Sequence, residues 1–311
     1  RFLERGNQAY EKKDYDKALF FYKEALLKDS AFAEAWNNKG LALMQLQRYD
    51  AAIEAFNRAL AYKPGYGEAL LNNIKANLAV RQYFAALELT DRLDRVWPDS
   101  GIVAFTRGLV YMDMGKPEKA LPAFHQALAA DSSNAEILTN IANIHYHSKR
   151  YDSARYYLQK SLQTDADLPE TYNILAMVNV ATGKQQAALE AIKMALSFDD
   201  NNAYYLNNLG YILLQSGDLD GAEQAIVQSM KIDPYNAWVY RNMGLLMFAR
   251  QEYRQAVHYL RKAYGMDKTI EGLPVSLVRA LLAAGDRQAA CDLLQELPLG
   301  PQVAELQKNC R

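Results

Sequence analysis

Alanine recurs at one spacing along this chain. Ala18, Ala52, Ala86, Ala120, Ala154, Ala188, Ala222, Ala256 and Ala290 follow one another at intervals of 34 residues. A period of this length, kept without insertion up to Leu297 in a chain of 311 residues, marks an array of repeated units rather than the two domains that length alone suggests. Two further columns share the period. One is small: Gly6, Gly40, Ile74, Gly108, Ala142, Ala176, Gly210, Gly244 and Val278. The other is mostly large and apolar: Tyr22, Phe56, Thr90, Phe124, Leu158, Ile192, Ile226, Leu260 and Leu294. Small residues in register point to a repeated close contact, and the large column is expected to fill the space between successive units.

Within each copy the apolar residues advance by three and four, twice, with a break between, which predicts a helix–turn–helix unit. In the second copy helix A spans about Ala33 to Leu46 and helix B about Asp50 to Tyr62. Gly40 lets the two axes approach. Pro64, Pro98 and Pro234 close B helices, since proline cannot extend the helix it follows. Three local departures are expected. Ile74 with Thr90 should shift the packing of the third copy. Pro122 should bend the fourth, and Pro274 should delay the first helix of the ninth.

The pattern Trp36-x2-Lys39-Gly40-x2-Leu43, then Ala52-x3-Phe56, Ala59 and Pro64, resembles the tetratricopeptide repeat (TPR). Further copies start at Gly67, Gly101, Ala135, Pro169, Ala203, Ala237 and Glu271, and one earlier copy lacks its first residues before Arg1. The resemblance implies an all-α fold, a right-handed TPR superhelical solenoid of helix-turn-helix repeats. It places nine repeats over 1–297, the first truncated, and a capping segment over 298–311. There Pro298-Leu299-Gly300-Pro301 reads as a turn, and Gln302 to Arg311 as one short polar helix over the last hydrophobic face.

Charge and motifs narrow the function. The chain carries 35 basic and 36 acidic residues, without the basic excess expected of a nucleic-acid binder. No apolar run is long enough for a transmembrane segment. The chain begins at Arg1 without Met, which leaves room for a removed signal peptide or an upstream lipid anchor. It contains no phosphate-binding glycine loop, His-Glu-x-x-His or Gly-x-Ser-x-Gly, so neither an enzyme nor a cofactor is expected. His145 and His147, two apart, diverge by about 160° on a helix rather than sharing a metal.

On helix A of the second copy, Trp36, Gly40 and Leu43 share one side, and Glu34, Asn38, Leu41 and Gln45 the other. In the TPR family the second side lines a concave groove, and asparagines in the Asn38 column hold peptide backbones. Here that column offers Asn38, Asn72, Asn140, Asn208 and Asn242. A carboxamide both donates and accepts, so a ladder of them suits an extended ligand, or else ties neighbouring repeats. The same face carries Leu41, Leu109, Met177, Tyr211 and Leu245, with Phe105 and Trp238 nearby. These form a partner site if contiguous and open, or packing if adjacent A helices cover them. The cations of a TPR carboxylate clamp are absent from the first three copies.

The expected function is that of a non-catalytic protein-interaction scaffold, which captures an extended peptide or a partner helix in the groove. Two rivals are a structural assembly subunit that binds a folded partner or itself through the convex B helices, and a regulatory arm of a larger enzyme. Tyr156, Tyr157, Tyr259 and Tyr264 would favour the first rival if exposed. Cys291 and Cys310 are the only cysteines, and two antiparallel helices folded at Pro298 to Pro301 bring them side by side. The arrangement also resembles that of exported bacterial TPR proteins. A disulfide and a periplasmic or outer-membrane location, as a lipoprotein, are therefore expected, against two free thiols in a cytoplasmic protein.

Overall fold

The computed structural model describes residues 1–310, which form nineteen α-helices, a closing 3-10 turn and no strand. The chain divides into two compact units, 1–144 and His145 onward. The first holds α1 (Phe2–Glu11), α2 (Tyr15–Lys28), α3 (Ala33–Gln45), α4 (Tyr49–Tyr62), α5 (Gly67–Ala79), α6 (Tyr83–Val96), α7 (Gly101–Asp113), α8 (Pro117–Ala130) and most of α9 (Ala135–His147). The second holds the last turn of α9, then α10 (Tyr151–Thr164), α11 (Pro169–Ala181), α12 (Gln185–Phe198), α13 (Ala203–Ser216), α14 (Leu219–Ile232), α15 (Ala237–Ala249) and α16 (Tyr253–Met266). It ends with α17 (Leu273–Ala283), α18 (Arg287–Glu296) and α19 (Pro301–Gln307). Within each unit A helices pack on their own B helices, as α3 does on α4 and α15 on α16, and the B helices α2, α4, α6, α10, α12, α14 and α16 pack on the A helix that follows.

The columns explain why the hairpins close. All nine alanines of the invariant column are fully buried. A Cβ on Gly40 would fall inside the ring of Phe56, and Gly6 and Gly108 stand in the same relation to Tyr22 and Phe124. Gly210 and Gly244 face Ile226 and Leu260 in the same way. The large column thus sits against the glycine of its own hairpin and also, as its size suggested, in a core shared with the next A helix, Phe56 with Ala76 and Ile192 with Ile212. The third copy exchanges the two volumes. Ile74 and Thr90 are both fully buried, and the Thr90 hydroxyl donates to the Ala86 carbonyl at 2.8 Å. Because the pair conserves volume, α5 and α6 keep the register of α3 and α4, and the expected shift does not occur.

Pro122 does not shorten the fourth B helix either. α8 keeps the 14 residues of α4, and Pro122 is exposed, where the carbonyl it leaves free meets water. Every A-to-B turn passes through one left-handed residue at the same point of the repeat. Lys13, Gln47, Arg81, Lys149 and Gln251 hold φ between 56° and 64°, and Gly115, Gly183, Gly217 and Gly285 occupy the equivalent places. The residue after each donates back to a carbonyl of the last helical turn, as Arg48 does to Leu43 at 2.9 Å. That bond satisfies a helix-end carbonyl and holds the turn even where a side chain is strained.

The ninth copy starts its first helix at Leu273, two residues into the repeat, with Gly272 left-handed at φ 74° and Pro274 in the first turn. The cap differs from a single helix over 302–311. α19 ends at Gln307 and tightens into a 3-10 turn over Lys308–Cys310. Val303 is buried there, and Leu306 and Cys310 pack on the core of the last hairpin. Cys291 and Cys310 are joined by a disulfide, with Cα atoms 5.6 Å apart. This cross-link draws the end of the cap toward α18. Arg311 lies outside the described residues.

Candidate functional site

The asparagine columns decide which groups face outward. Asn72 donates to Asn37 at 3.1 Å, Asn208 to Asn173 at 2.8 Å and Asn242 to Asn207 at 2.9 Å. In each case the partner lies 35 residues earlier, on the preceding A helix. The ladder therefore joins neighbouring repeats through two adjacent columns. Asn140 has Phe105 at that spacing, and its side chain turns to the Glu136 carbonyl of its own helix at 2.9 Å. Asn38, with Leu3 there, donates instead to Asn7 at 3.0 Å. Of the two roles open to this column, the bonds of Asn72, Asn208 and Asn242 are those of a tie between neighbouring repeats. Asn208 and Asn242 are buried, and a buried donor takes the partner within reach.

In the first unit, Asn38 and Leu41 line a shallow 230 Å³ hollow with Asn7, Tyr10, Glu11 and Tyr22, whose hydroxyl donates to Asn7 at 2.9 Å. Phe105 is half-buried against Phe124, ring centres 5.8 Å apart, and Leu109 is half-buried.

The second unit holds the larger cleft, 400 Å³, open along its A helices. Five of the expected residues meet there: Met177 from α11, Asn208 and Tyr211 from α13, and Trp238 and Asn242 from α15. Leu245 is half-buried on α15 and is not part of its lining. The cleft also contains Tyr146, His147, Tyr204, Asn207, Arg241 and Glu271. Of these, Tyr146, Asn207, Arg241 and Glu271 carried no recognised signal. Arg241 follows Asn173 and Asn207 in a column that elsewhere holds Leu3, Asn37, Leu71, Phe105, Thr139 and Val275, so the column gave little warning of it.

Arg241 organises this lining. Its guanidinium lies over the rings of Tyr211 and Trp238, at 5.0 and 5.5 Å from their centroids. One end, Nη1, donates to the Asn242 oxygen at 2.9 Å, and that asparagine in turn donates to Asn207. Nε is buried and has no hydrogen-bond partner among the described residues. Behind the cleft Glu170 accepts from Asn173 at 3.2 Å and from the Tyr205 hydroxyl at 3.3 Å. Burial nevertheless pushes the Glu170 carboxyl above the usual range, the two hydrogen bonds opposing it. Burial, with the neighbouring Tyr204 hydroxyl, pushes Tyr146 up to about 12. Desolvation lowers His147, with Glu271 pulling the other way. At the edge, Lys149 pairs with Glu271 at 2.6 Å, both well exposed. The tyrosines of the B helices offer less free surface. Tyr156 is exposed, but Tyr157 is half-buried and stacked on His145, and Tyr259 and Tyr264 are half-buried.

Helical hairpins stacked on a 34-residue period define an α-solenoid. Tetratricopeptide repeat models match residues 33–66, 105–169 and 203–236. The chain belongs to the tetratricopeptide repeat family. Such repeats generally mediate protein–protein interaction, and such scaffolds are generally non-catalytic. Similar solved structures include the Cut9–Hcn1 hetero-tetramer of APC/C, with TM-score 0.71 and 17% identity over 90% of this chain. The present chain spans 55% of the length of that one. IFIT1 with m7Gppp-AAAA matches with TM-score 0.68 and 15% identity, over 98% of this chain and 79% of that one. Likeness at these identities shows the fold alone. No curated protein sequence matches the chain. No helix among the described residues is long and apolar enough to cross a membrane.

Proposed function

We propose that the protein is a binding scaffold that captures an extended segment of a partner protein in the cleft of its second unit. The observation that carries this reading is the grouping of Met177, Tyr204, Tyr211 and Trp238 around Arg241 in one open cleft. Trp238 and Tyr204 are 42% and 47% exposed, large aromatic surface left uncovered on a face where neighbouring A helices cover most side chains. Rigid aromatic side chains and arginine are the residue types that anchor protein interfaces. The ladder carboxamides serve to hold α11, α13 and α15 in register beneath that surface.

The convex-surface reading loses weight because three of its four tyrosines are half-buried. A photo-crosslinking residue in place of Tyr211 should trap a partner protein, and one in place of Tyr156 should not. Adducts from the Tyr156 position alone would overturn the groove reading. We further propose an oxidising compartment, the periplasm or the outer membrane surface of a bacterium, on the support of the Cys291–Cys310 pair. Denatured, unreduced protein isolated from its native host should then present no titratable thiol. Two would overturn that placement.

A further inference from the structure

The cleft of the second unit is aromatic enough to attract a cation, yet its own arginine already occupies the ring faces. Arg241 covers Tyr211 and Trp238. It takes part in no ion pair among the described residues. The acidic groups nearby are engaged elsewhere, Glu271 by Lys149 and Glu170 by Tyr205 and Asn173. The lining therefore carries one positive charge without a counter-charge. The guanidinium is also oriented. Nη1 is fixed by Asn242, so the side bearing Nε faces no protein acceptor, and Nε is buried. A buried N–H without an acceptor is costly unless a ligand supplies one. A guanidinium binds a carboxylate through charge-assisted hydrogen bonds.

We propose that the cleft is specific for an acidic segment of a partner protein, in which an internal Asp or Glu side chain docks on the Arg241 guanidinium while apolar neighbours pack on Trp238, Tyr204 and Met177. This rests on the groove reading above and names its ligand chemistry. An internal residue is favoured over a chain end because lining comes from both sides of Arg241 in the repeat order. Met177 and Tyr204 lie on earlier helices and Glu271 on a later copy, so a bound strand runs past the guanidinium. A cationic segment is disfavoured by the same charge.

The test uses the full chain and three fluorescent peptide libraries, N-acetylated and C-amidated. Each has about nine residues, enough extended chain to cross three A helices. The central residue is Asp, Asn or Lys, and the flanks are mixtures of Leu, Phe, Ala and Ser. A fourth library ends in a free carboxylate and lacks the acid. Affinity is read by anisotropy for wild type, Arg241→Met and Trp238→Ala. The Asp library should bind wild type about tenfold or more tighter than the Asn library, and the Lys library weakest. Arg241→Met should erase the preference for Asp over Asn, and Trp238→Ala should weaken the Asp and Asn libraries alike while keeping that preference. Equal binding of Asp and Asn, or an Asp preference that survives Arg241→Met, overturns the carboxylate assignment while leaving the groove reading intact. A stronger preference for the free terminus places a chain end on Arg241 and overturns the internal assignment. Absence of binding by every library overturns this proposal, while Tyr211 adducts under crosslinking would still uphold the groove.

Discussion

Replacing Asn242 by Ala tests whether the asparagine ladder is structural. Asn242 is 2% exposed and is engaged three times. It donates to the Asn207 side chain at 2.9 Å and more weakly to the Asn207 carbonyl at 3.4 Å, and it accepts from Arg241 at 2.9 Å. A neutral bond contributes about 1 kcal/mol net and one from a charged donor about 1.5–3 kcal/mol. Arg241 is only half-buried, so water recovers part of the second contribution. A loss of about 2 kcal/mol is expected, which in a unit of this size lowers the melting temperature by about 4–8 °C. Asn140→Ala is the internal control. That side chain is half-buried and bonds only a carbonyl of its own helix, and alanine is the better helix former. Its change should stay within about 0.5 kcal/mol. Thermal and urea unfolding followed by circular dichroism compare the two. Equal small shifts would refute the assignment of the ladder to inter-repeat contact.

Gly40→Ile should destabilise by about 1–3 kcal/mol or more because its side chain meets the Phe56 ring, whereas Gly65→Ala, with open space around it, should not. Adding Phe56→Thr should recover part of the Gly40→Ile loss, as Ile74 and Thr90 coexist in the third copy; unfolding of the single and double variants decides this. Reduction of Cys291–Cys310 releases a cross-link over 19 residues worth about 3 kcal/mol in the chain-entropy model. Hydrogen exchange should then rise in 301–310 and stay level in α1 to α8. Glu170 has its carboxyl raised in the folded state, so the folded protein binds that proton more tightly than the unfolded chain. Its contribution is favourable at low pH and is lost as pH rises from the ordinary carboxylate value through the raised one. Glu170→Gln should remove that slope and be no less stable than wild type at pH 7; a stability profile that keeps the slope would refute the account.

Much of the fold is written in short-range pattern. The 34-residue period, the buried alanine column and the helix–turn–helix alternation follow from spacing alone, because each copy repeats one local solution. Helix limits agree within a residue or two of the expected ones in the second copy, where α3 and α4 run over Ala33–Gln45 and Tyr49–Tyr62. The turn column was less visible. A Lys, Gln or Arg in the left-handed region carries no mark of it, since the conformation is imposed by the bond that closes the helix rather than by the residue.

The site divides along the same line. Spacing alone assigned Met177, Tyr211 and Trp238 to one face of their helices, because three- and four-residue steps determine faces. Whether the Asn38 column served a ligand or the neighbouring repeat depended on what stood 35 residues earlier on another helix. That is a relation across space, decided by desolvation of buried carboxamides. Arg241 is the clearest case. The sequence places it on an A helix, but its stacking on Tyr211 and Trp238, and the acceptor missing at Nε, exist only once α13 and α15 lie side by side. Repetition determines the scaffold because every copy faces the same packing problem. The cleft departs from that repetition, and its chemistry comes from side chains that only tertiary contact brings together.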